Sequence, residues 1–568
     1  MSRVLRGLVS LALSSSVTRG FSVMSVTTTA SPLAKGAGVS GEGKAALDTL
    51  LDHGLAWATA NGLQMVVKDP DGLFTSTHLP FSLLPNTLPE ASFEQAQELA
   101  PLFNTLVDRI SRDGDCGYML PIVLGDVLAG DPFTAELVRI HASIEAEGGP
   151  RQPLCLGIHR SDYMLHAPAD GRTKPHLLQV ELNTIASSFG CMSALTGKMH
   201  RHLLGRFMSD EPGRGVGAAL REHIAANGVD AAAAGGPGAE VASRIPENPT
   251  LARLPAAMAE AHKSYGKEGA VVVFVVQPGE SNAVDQRLLE FALWETHSVR
   301  VMRLSLGEIA ERGKLSDDGR LLLDGETEVA VVYFRAGYTP DDYKGQGDWD
   351  ARLMVERALA IKCPSIAYHL AGTKKVQQVL AAPGQVERFL SPADSARVRR
   401  CFAGLHSVGV STSTQGGSDT DKKAAAAAAA ATREALARPA GFVLKPQREG
   451  GGNNLFGADL ARKLTEASAE ELRAYILMQR IFPRTQQSVL VNRGRVAAGP
   501  SVSEWGFYGT YLGRGGDAEP LLNEYAGYLV RTKLEGVDEG GVASGYAMLS
   551  SAVLAAKGEA DGLPTPAP

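Results

Sequence analysis

Apolar and polar positions follow two different periods along the chain, and these periods separate helical from strand-rich segments. From about Ala45 to Glu147 the apolar positions recur at helical spacing, as in KAALDTLLDHGLAWATANG, so this segment is predicted to be mostly helical. From Ala270 onward, short apolar runs such as AVVVFVV and EVAVVYF alternate with the amphipathic stretch QRLLEFALWETH. Continuous apolar runs joined by helices are typical of a parallel sheet covered on both faces. The pattern therefore predicts an α/β (α+β) fold that includes a small parallel α/β unit near residues 267–375.

Shorter patterns refine this prediction. The apolar run from Gly441 to Leu444 is typical of a strand, and it ends at the glycine-rich loop KPQREGGGNN. Ser468 and Glu471 have the spacing of a capping box, which predicts the start of a helix. Residues 229–255, rich in Ala, Gly and Pro, are predicted to be a surface insertion. A second stretch of low complexity contains the alanines 424–431 and is predicted to be a solvated loop ending in a short helix.

The composition argues against several classes of protein. The chain has 568 residues, a formal net charge of -6, 44% hydrophobic and 21% charged residues. Its length suits roughly three or four domains. It contains no dense Lys and Arg run interleaved with aromatic residues, so we expect no nucleic-acid partner. No apolar stretch approaches the roughly 20 residues of a membrane-spanning helix, so we expect a soluble protein with no membrane partner.

The first 41 residues differ from the rest of the chain in charge. Arg3, Arg6 and Arg19 stand among many serines, and the first acidic residue is Glu42. This composition is typical of an organellar transit peptide, and a disordered tail is the alternative. The expected location is the mitochondrion or the plastid, and a cytoplasmic form started at Met24 is left open.

The loop KPQREGGGNN combines residue types that suit a bound nucleotide. Backbone amides of Gly450, Gly451 and Gly452 can approach a phosphate because no side chain intervenes. Lys445 can meet the phosphate charge, and Glu449 can hold magnesium. A flexible surface turn is the alternative interpretation. The chain has no GxxxxGK[ST] loop, and no GxGxxG lies in a strand-to-helix turn, so the usual competing nucleotide sites are not supported.

A second group of polar residues lies in QVELNTIASSFG. On a strand, Glu181 and Asn183 point to the same face, so both oxygens can reach one cation. With Glu449 they make three hard oxygen donors, a set that favours magnesium held between the protein and phosphates. A solvated strand face is the alternative.

Positive side chains near the ends of other apolar runs suit anionic groups. Arg160 and Arg335 can each bind a carboxylate through two hydrogen bonds. Arg531 and Lys533 share a strand face, where they can meet negative charge that develops at a phosphoryl or acyl centre. Lys374 stands at a predicted helix start. Each of these residues can equally be an ordinary ion-pair partner or a surface residue.

Several long motifs together resemble those of one family. They are LGIHRSDYM, VELNTIASSFG, DQRLLEFAL, VAVVYFRAGY, KCPSIA, LAGTKKVQQ, FVLKPQREGGGNNL and LVRTK. From about Ala45 to about Ala547 the chain closely resembles the eukaryotic glutathione synthetases, which are ATP-grasp ligases. The resemblance implies an ATP-grasp fold, ATP and Mg²⁺ as cofactors, γ-glutamylcysteine and glycine as substrates, and a homodimer.

The resemblance also implies a layout of domains. It comprises a transit peptide or disordered tail (1–41), the N-terminal part of the ATP-grasp core (42–266), an inserted substrate-binding α/β domain (267–375), the C-terminal part of the core with a glycine-rich lid (376–550), and a disordered tail (551–568).

Individual site residues follow from the same resemblance. The implied metal ligands are Glu181, Asn183 and Glu449, and the implied catalytic groups are Arg531 and the backbone amides of Gly450 and Gly451. The implied ATP contacts are Glu181, Lys374, Lys445, Pro446, Gln447, Arg448, Glu449, Gly450, Gly451, Gly452, Asn453, Asn454, Phe456, Met478, Gln479, Arg480, Ile481, Glu504, Lys533 and Glu539. The implied substrate contacts are Arg160, Ile185, Ala186, Ser187, Ser188, Glu280, Ser281, Asn282, Gln286, Arg335, Ala336, Gly337, Tyr338, Arg531, Val542 and Ala543.

Three positions depart from the family pattern. Phe456 stands where a tyrosine is common, and Glu539 stands where an aspartate is common. Ser544 follows Ala543 where members that use glycine often have a second alanine. Val542-Ala543-Ser544 resembles the glycine type, and serine or β-alanine stays open as the acceptor.

The expected reaction is an ATP-dependent carboxylate–amine ligation through an acylphosphate, because a free carboxylate is a poor acyl donor. A kinase that releases a stable phosphorylated product is one alternative. A non-catalytic nucleotide sensor is another, and it would be expected to have lost Lys445, Glu449 or Arg531, all of which are present.

Overall fold

The computed structural model describes residues 42–68, 74–112, 123–168, 173–208, 215–229, 239–409, 419–447, 452–515, 519–538 and 540–556. These residues form a mixed α/β fold in which helices cover the main sheets. The helices are α1 (Glu42–Ala60), α2 (Glu90–Ser111), α3 (Val123–Gly125), α4 (Pro132–Ala146), α5 (Gly190–Phe207), α6 (Gly215–Ala226), α7 (Ala239–Ser243), α8 (Thr250–Tyr265), α9 (Ala283–His297), α10 (Leu306–Arg312), α11 (Gln346–Arg357), α12 (Ile366–Ala371), α13 (Lys374–Ala381), α14 (Pro392–Arg399), α15 (Asp419–Ala437), α16 (Gly457–Glu466) and α17 (Ala469–Arg473).

The strands of the described ranges vary widely in length, and the longest, β17, runs through the middle of the largest sheet between β18 and β5. They are β1 (Gln64–Lys68), β2 (Phe74–His78), β3 (Phe81–Ser82), β4 (Asn86–Pro89), β5 (Leu154–His166), β6 (His176–Asn183), β7 (Val271–Val275), β8 (Val301–Leu304), β9 (Gly313–Leu315), β10 (Leu321–Leu323), β11 (Thr327–Phe334), β12 (Ile361–Cys363), β13 (Leu405–Ser407), β14 (Phe442–Pro446), β15 (Tyr475–Gln479), β16 (Gln486–Asn492), β17 (Arg495–Arg514), β18 (Leu522–Leu534), β19 (Met548–Ser550) and β20 (Ala552–Ala555).

Within the described residues, the largest sheet has seven strands in the order β16-β3-β19-β18-β17-β5-β6. Successive side chains of β17 point to opposite faces, as the strand geometry requires. Phe507 packs with Phe93 of α2 on one face, and Tyr508 belongs to the same buried cluster as Met192 of α5 on the other face. Helices therefore cover both faces of the sheet, and they leave its β5–β6 end to contribute to the site.

The second sheet confirms the predicted parallel unit. Strands β8, β7, β11 and β12 are parallel neighbours, and Val332 lies opposite Val273 on one side and Lys362 on the other. β10 and β9 extend this sheet in antiparallel fashion. The sheet lies between residues 271 and 363, inside the predicted inserted domain, and the domain limits themselves stay a prediction.

The third sheet carries the strand that precedes the glycine-rich loop. Its antiparallel order is β13-β15-β14, and Lys445 of β14 lies opposite Ile476 of β15. The capping box predicted at Ser468 and Glu471 is confirmed at the start of α17. This sheet faces the β5–β6 end of the largest sheet across a cavity.

Four sequence expectations are wrong in part. The segment predicted to be mostly helical also holds β1 to β4. QMVVK and FTSTH contain β-branched residues and pair with each other, while β3 and β4 pair with the distant strands β16 and β20. The described part of the predicted insertion, Val229 and residues 239–255, contains α7 and the start of α8, and Val229, Val241 and Leu254 are buried. The alanine run belongs to a 19-residue helix, α15, because Ala431 and Ala435 pack into an apolar cluster. The predicted C-terminal tail includes β20, which pairs with β4.

Residues 1–41, which carry the predicted transit peptide, lie outside the described ranges. No helix within those ranges has both the length and the apolar character needed to cross a membrane.

Candidate active site

A cavity of about 470 Å³ lies between the three-stranded sheet and the seven-stranded sheet. Residues from β5, β6, β14, β15, β17 and β18 line it, together with the segment that follows β18. Most of the site residues expected from the sequence are brought together here. They are Arg160, Glu181, Asn183, Ile185, Ala186, Ser187, Ser188, Tyr338, Lys445, Gly452, Asn454, Phe456, Met478, Gln479, Arg480, Ile481, Glu504, Arg531, Lys533, Val542 and Ala543.

Strand register places the charged residues side by side. Arg160 of β5 lies opposite Asn183 of β6, and Glu504 of β17 lies opposite Arg531 of β18. Because β5 and β17 are neighbours, these four residues come from four adjacent strands. Glu181 and Asn183, which the sequence predicts to share one face of a strand, both line the cavity from β6.

Asp162 joins these strands, and the sequence reasoning missed it. Its Oδ1 accepts a hydrogen bond from Arg160 Nε at 2.6 Å, and its Oδ2 accepts one from Arg531 Nη2 at 2.9 Å and one from Asn183 Nδ2 at 3.0 Å. A signal was present in the sequence, because Asp162 stands two residues after Arg160 and therefore shares its strand face.

The Glu181 carboxylate lies among positively charged side chains, those of two lysines and two arginines. Its Oε2 lies 3.2 Å from Lys374 Nζ at the start of α13. Burial acts to raise the pKa of Glu181, but the charges of Lys374, Lys445 and the nearby arginines outweigh burial and hold this pKa well below its usual value. The carboxylate is therefore ionised at neutral pH. Lys445 Nζ also donates to the carbonyl of Val180 at 2.8 Å.

The pKa of Glu504 is shifted in the opposite direction, above its usual value. Burial raises the pKa of its carboxyl, and the negative charges of Asp162 and Glu181 raise it further, although the hydrogen-bonded Arg531 opposes the rise. Arg531 thus stands between two carboxylates, one from β5 and one from β17.

Another part of the cavity lining is apolar and aromatic, and it suits a purine base. Met478 is buried on β15, and the Arg480 guanidinium lies 5.4 Å from the Phe456 ring and 5.7 Å from the Phe482 ring. Arg480 also forms an ion pair with Asp538 at 3.1 Å, which ties the segment after β18 to the end of β15. The sequence reasoning did not predict Phe482 or Asp538, because the contact joins chain positions far apart.

A second buried pair lies beside the cavity. Arg335 Nη1 contacts Asp285 Oδ2 at 3.2 Å, and both side chains are only 2% exposed. The Asp285 carboxylate also accepts hydrogen bonds from the backbone amides of Phe189, Cys191 and Met192. Arg335 therefore supports the segment that carries Ser187 and Ser188.

Other expected residues lie beside the cavity lining or beyond the described ranges. Those absent from the lining are Glu280, Ser281, Asn282, Gln286, Arg335, Ala336, Gly337, Lys374, Pro446, Gln447 and Asn453. Gln286 accepts a hydrogen bond from Arg303, and Gln447 accepts one from the backbone of Lys375. Arg448, Glu449, Gly450, Gly451 and Glu539 lie outside the described residues.

The described residues hold two of the three expected metal ligands. Glu181 and Asn183 line the cavity, and Glu449 belongs to the part of the chain that is not described. Within the described ranges, no cluster of three or more His, Cys, Asp or Glu side chains is arranged to hold a metal.

Comparisons with known proteins agree with this geometry. Residues 44–554 match the family model described as "Eukaryotic glutathione synthase, ATP binding domain". The chain is 41% identical to the chloroplastic glutathione synthetase of Solanum lycopersicum over 514 residues, which cover 89% of this chain and 84% of that protein. It is 36% identical to the glutathione synthetase of Homo sapiens over 522 residues, which cover 89% of this chain and 97% of that protein.

A solved structure supports the fold. The apo form of a glutathione synthetase-like effector from Globodera pallida matches with a TM-score of 0.65 and 21% identity, covering 91% of this chain and 98% of that chain. At this identity the likeness concerns the fold alone, and it agrees with an ATP-grasp-type architecture. From the matched family model, the identity to curated relatives and the cavity between two sheets, we conclude that the chain belongs to the eukaryotic glutathione synthase family.

Proposed function

We propose that this chain ligates γ-glutamylcysteine to glycine in an ATP-dependent reaction that yields glutathione, ADP and phosphate. One observation carries the proposal: a single cavity brings Arg160 and Arg531 from one sheet opposite Lys445 from another. Two anionic reactants, a peptide carboxylate and a nucleotide triphosphate, need such a concentration of cations. The substrates of this proposal are those from which glutathione is made, the activity that the names of the relatives state.

The residues of this chain have distinct tasks in the proposed reaction. ATP supplies the phosphoryl group that turns the cysteinyl carboxylate into an acylphosphate, from which the glycine amine then displaces phosphate. Arg160 orients the peptide substrate through its guanidinium. Lys445 and Lys374 offset the phosphate charge, and Arg531 stabilises the oxyanion that develops at the acyl carbon.

Magnesium fits the donors that line the cavity. Glu181 offers an ionised carboxylate. The Asn183 amide nitrogen donates to Asp162 and to the carbonyl of Arg160, which leaves the amide oxygen to face a cation. Hard oxygen ligands of this kind are those that Mg²⁺ prefers. We infer that Glu181, Asn183 and Glu449 hold the ion, which would neutralise charge on the transferring phosphoryl group.

The reaction is tested by ADP release from the purified full-length protein. The assay contains ATP, magnesium and γ-glutamylcysteine with glycine, β-alanine, serine or no amine, and the peptide product is identified by mass spectrometry. Glycine-dependent turnover is expected. ADP release that is indifferent to the amine would instead support a kinase or hydrolase, and nucleotide binding without turnover would support a sensor.

The metal assignment has its own test. Glu449→Ala is expected to abolish turnover at ordinary magnesium and to leave the thermal unfolding midpoint unchanged. Glu470→Ala removes an exposed carboxylate from α17 and serves as the matched control, with full activity expected. Near-normal activity of Glu449→Ala would refute the metal assignment while leaving the ligase proposal intact.

We propose that the chain forms a homodimer through α9. This helix exposes two large apolar side chains three residues apart on one face, Phe291 at 50% and Trp294 at 59% exposure. Apolar side chains exposed together are typical of subunit contacts. Trp294→Asp is expected to give a monomer in sedimentation velocity, while Leu436→Asp, at a 42% exposed position of α15, leaves the dimer intact. A monomeric wild type contradicts the proposal.

We infer that residues 1–41 direct the protein to an organelle, with the plastid favoured over the mitochondrion. Their basic, serine-rich composition and the chloroplastic names of the tomato and Arabidopsis thaliana relatives support this inference. Fusion of residues 1–41 to a fluorescent protein tests it, and a diffuse cytoplasmic signal would contradict it.

A further inference from the structure

The carboxylate of Asp162 is fully buried and accepts four hydrogen bonds from charged or polar groups of the site. Arg160 donates twice, from Nε to Oδ1 at 2.6 Å and from Nη2 to Oδ2 at 2.8 Å. Oδ2 also accepts from Arg531 at 2.9 Å and from Asn183 at 3.0 Å. One side chain therefore contacts the residues proposed to bind the peptide, the oxyanion and the metal.

The neighbouring strand leaves room for this arrangement. Gly506 of β17 lies opposite Asp162 of β5 in the strand register. A Cβ atom at Gly506 would lie 2.6 Å from Asp162 Oδ1 and 2.8 Å from Arg160 Cδ, closer than van der Waals contact permits. The pair can thus keep its geometry only while residue 506 has no side chain.

The charges around Asp162 are balanced. Burial lowers the pKa of the Arg531 guanidinium and the nearby Arg160 charge lowers it further, while Glu504 and Asp162 raise it above its ordinary value. Without Asp162, the buried Arg160 guanidinium and the partly buried Arg531 guanidinium would have only the carboxylate of Glu504 between them and would repel each other. Their separation and orientation therefore depend on the Asp162 carboxylate.

We propose that Asp162 is a positioning residue of the ligation reaction. It holds the Arg160 guanidinium where that group binds the peptide substrate, and it holds the Arg531 guanidinium where negative charge develops at the acyl carbon. This inference rests on the proposed function. Asp162 acts through the two arginines and touches no reactant. Because acyl transfer depends on the alignment of the charge-stabilising group, a displaced Arg531 reduces turnover more than it weakens nucleotide binding.

The contrasting possibility is that Asp162 only stabilises the sheet. Loss of a purely structural ion pair reduces the amount of folded protein but leaves the kinetic constants of the folded fraction unchanged. Loss of a positioning residue changes kcat for the folded protein and makes the effect of an Arg531 substitution smaller, since two changes to one unit are not additive.

The experiment first requires that the wild-type chain release ADP in a glycine-dependent manner, since failure here overturns the proposed function and not the role of Asp162 within it. Asp162→Asn keeps the size of the side chain and removes its charge. Its kcat/KM for γ-glutamylcysteine is expected to fall about 100-fold, while the KM for ATP stays within about threefold of wild type. Unchanged kcat per folded molecule would overturn the inference.

A double-mutant cycle separates positioning from folding. Arg531→Lys alone is expected to reduce kcat/KM about 100-fold, but by less than about tenfold in the Asp162→Asn background. Additive losses in the cycle would show that Asp162 does not act through Arg531, and would overturn the inference.

Gly506→Ala provides a test that leaves every charge in place, and it decides the question if Asp162→Asn does not fold. Its methyl group displaces the Asp162–Arg160 pair, so kcat is expected to fall at least about tenfold with the KM for ATP preserved. Gly499→Ala on the same strand is the matched control, because its Cβ would meet only Leu534 Cδ2 at an ordinary 3.8 Å. Wild-type kinetics in Gly506→Ala would overturn the inference.

Discussion

The contacts of the buried Asp285 carboxylate allow the loss of stability on its substitution to be worked out. It accepts hydrogen bonds from the backbone amides of Phe189 at 2.9 Å and Cys191 at 3.1 Å, and it pairs with Arg335 at 3.2 Å. Phe189 has a φ of 70° and Ala186 a φ of 51°, a left-handed conformation that L side chains adopt at a cost of about 1–2 kcal/mol each. Contacts such as those of Asp285 must offset that strain.

Asp285→Asn keeps the shape of the side chain and removes its charge. Breaking one partner of a buried ion pair costs about 3–5 kcal/mol, because the other charge stays buried without compensation. An amide oxygen can still accept one of the backbone hydrogen bonds, so the lower part of this range applies. We expect the free energy of unfolding to fall by about 3 kcal/mol, and kcat/KM to fall more than about tenfold as the segment that carries Ser187 and Ser188 loses its orientation.

The assay is equilibrium urea unfolding followed by circular dichroism, with steady-state kinetics on the same preparations. Glu290→Gln makes the same chemical change on the same helix, α9, but its ion pair with Arg287 is partly exposed. Exposed pairs contribute only about 0.2–1 kcal/mol, so this control should be close to wild type. If Asp285→Asn proved as stable and active as Glu290→Gln, the reasoning about the buried pair would be refuted.

Three further predictions concern four buried histidines, Lys374, and the ion pair between Arg480 and Asp538. Burial lowers the pKa of His159 and His369 to about 3 and that of His200 and His223 to about 4. An unfolded histidine takes up a proton at about pH 6.5, whereas these buried histidines stay neutral to a lower pH. Below about pH 6.5 the free energy of unfolding therefore falls by about 1.4 kcal/mol per pH unit for each residue, and above it this loss is absent. Urea midpoints at pH 7.5 and 5.5 test this, and His159→Leu should reduce the slope. Lys374→Met removes the ion-pair partner of Glu181 and should raise the pKa of that carboxyl; a carboxyl NMR titration of the magnesium-free protein that shows no rise contradicts the ion pair as the cause. Arg480→Ala and Asp538→Ala should each raise the KM for ATP about fivefold, the equivalent of about 1 kcal/mol for a partly exposed pair, and an effect on kcat alone would count against the contact.

Local periodicity was sufficient for part of the site. The common face of Glu181 and Asn183 follows from the alternation of side chains along one strand, whatever the strand pairs with. The capping box at Ser468 depends on neighbours three residues apart and was equally predictable. The long motifs carried the family, and with it the expected ligand contacts, because they keep these local arrangements in a recognisable order.

Tertiary structure decided the contacts between segments that lie far apart in the chain. Lys374 reaches Glu181 only because packing places α13 near β6, and Arg531 reaches Asp162 only because β18 and β5 lie on either side of β17 in one sheet. The alanine run was expected to be a solvated loop because its composition is simple, yet one face of its helix packs into an apolar cluster, and residues 552–555, expected to be part of a tail, pair with β4.

The sequence by itself therefore determined the class of fold, the family and the residues that share one strand or one helical turn, since these depend on local geometry. The balance of charge around Asp162 and Arg531 was decided by the tertiary structure alone. Its physical reason is register: hydrogen bonding between β5 and β17 sets Gly506 opposite Asp162, and no local pattern specifies which residue of a distant strand will lie there.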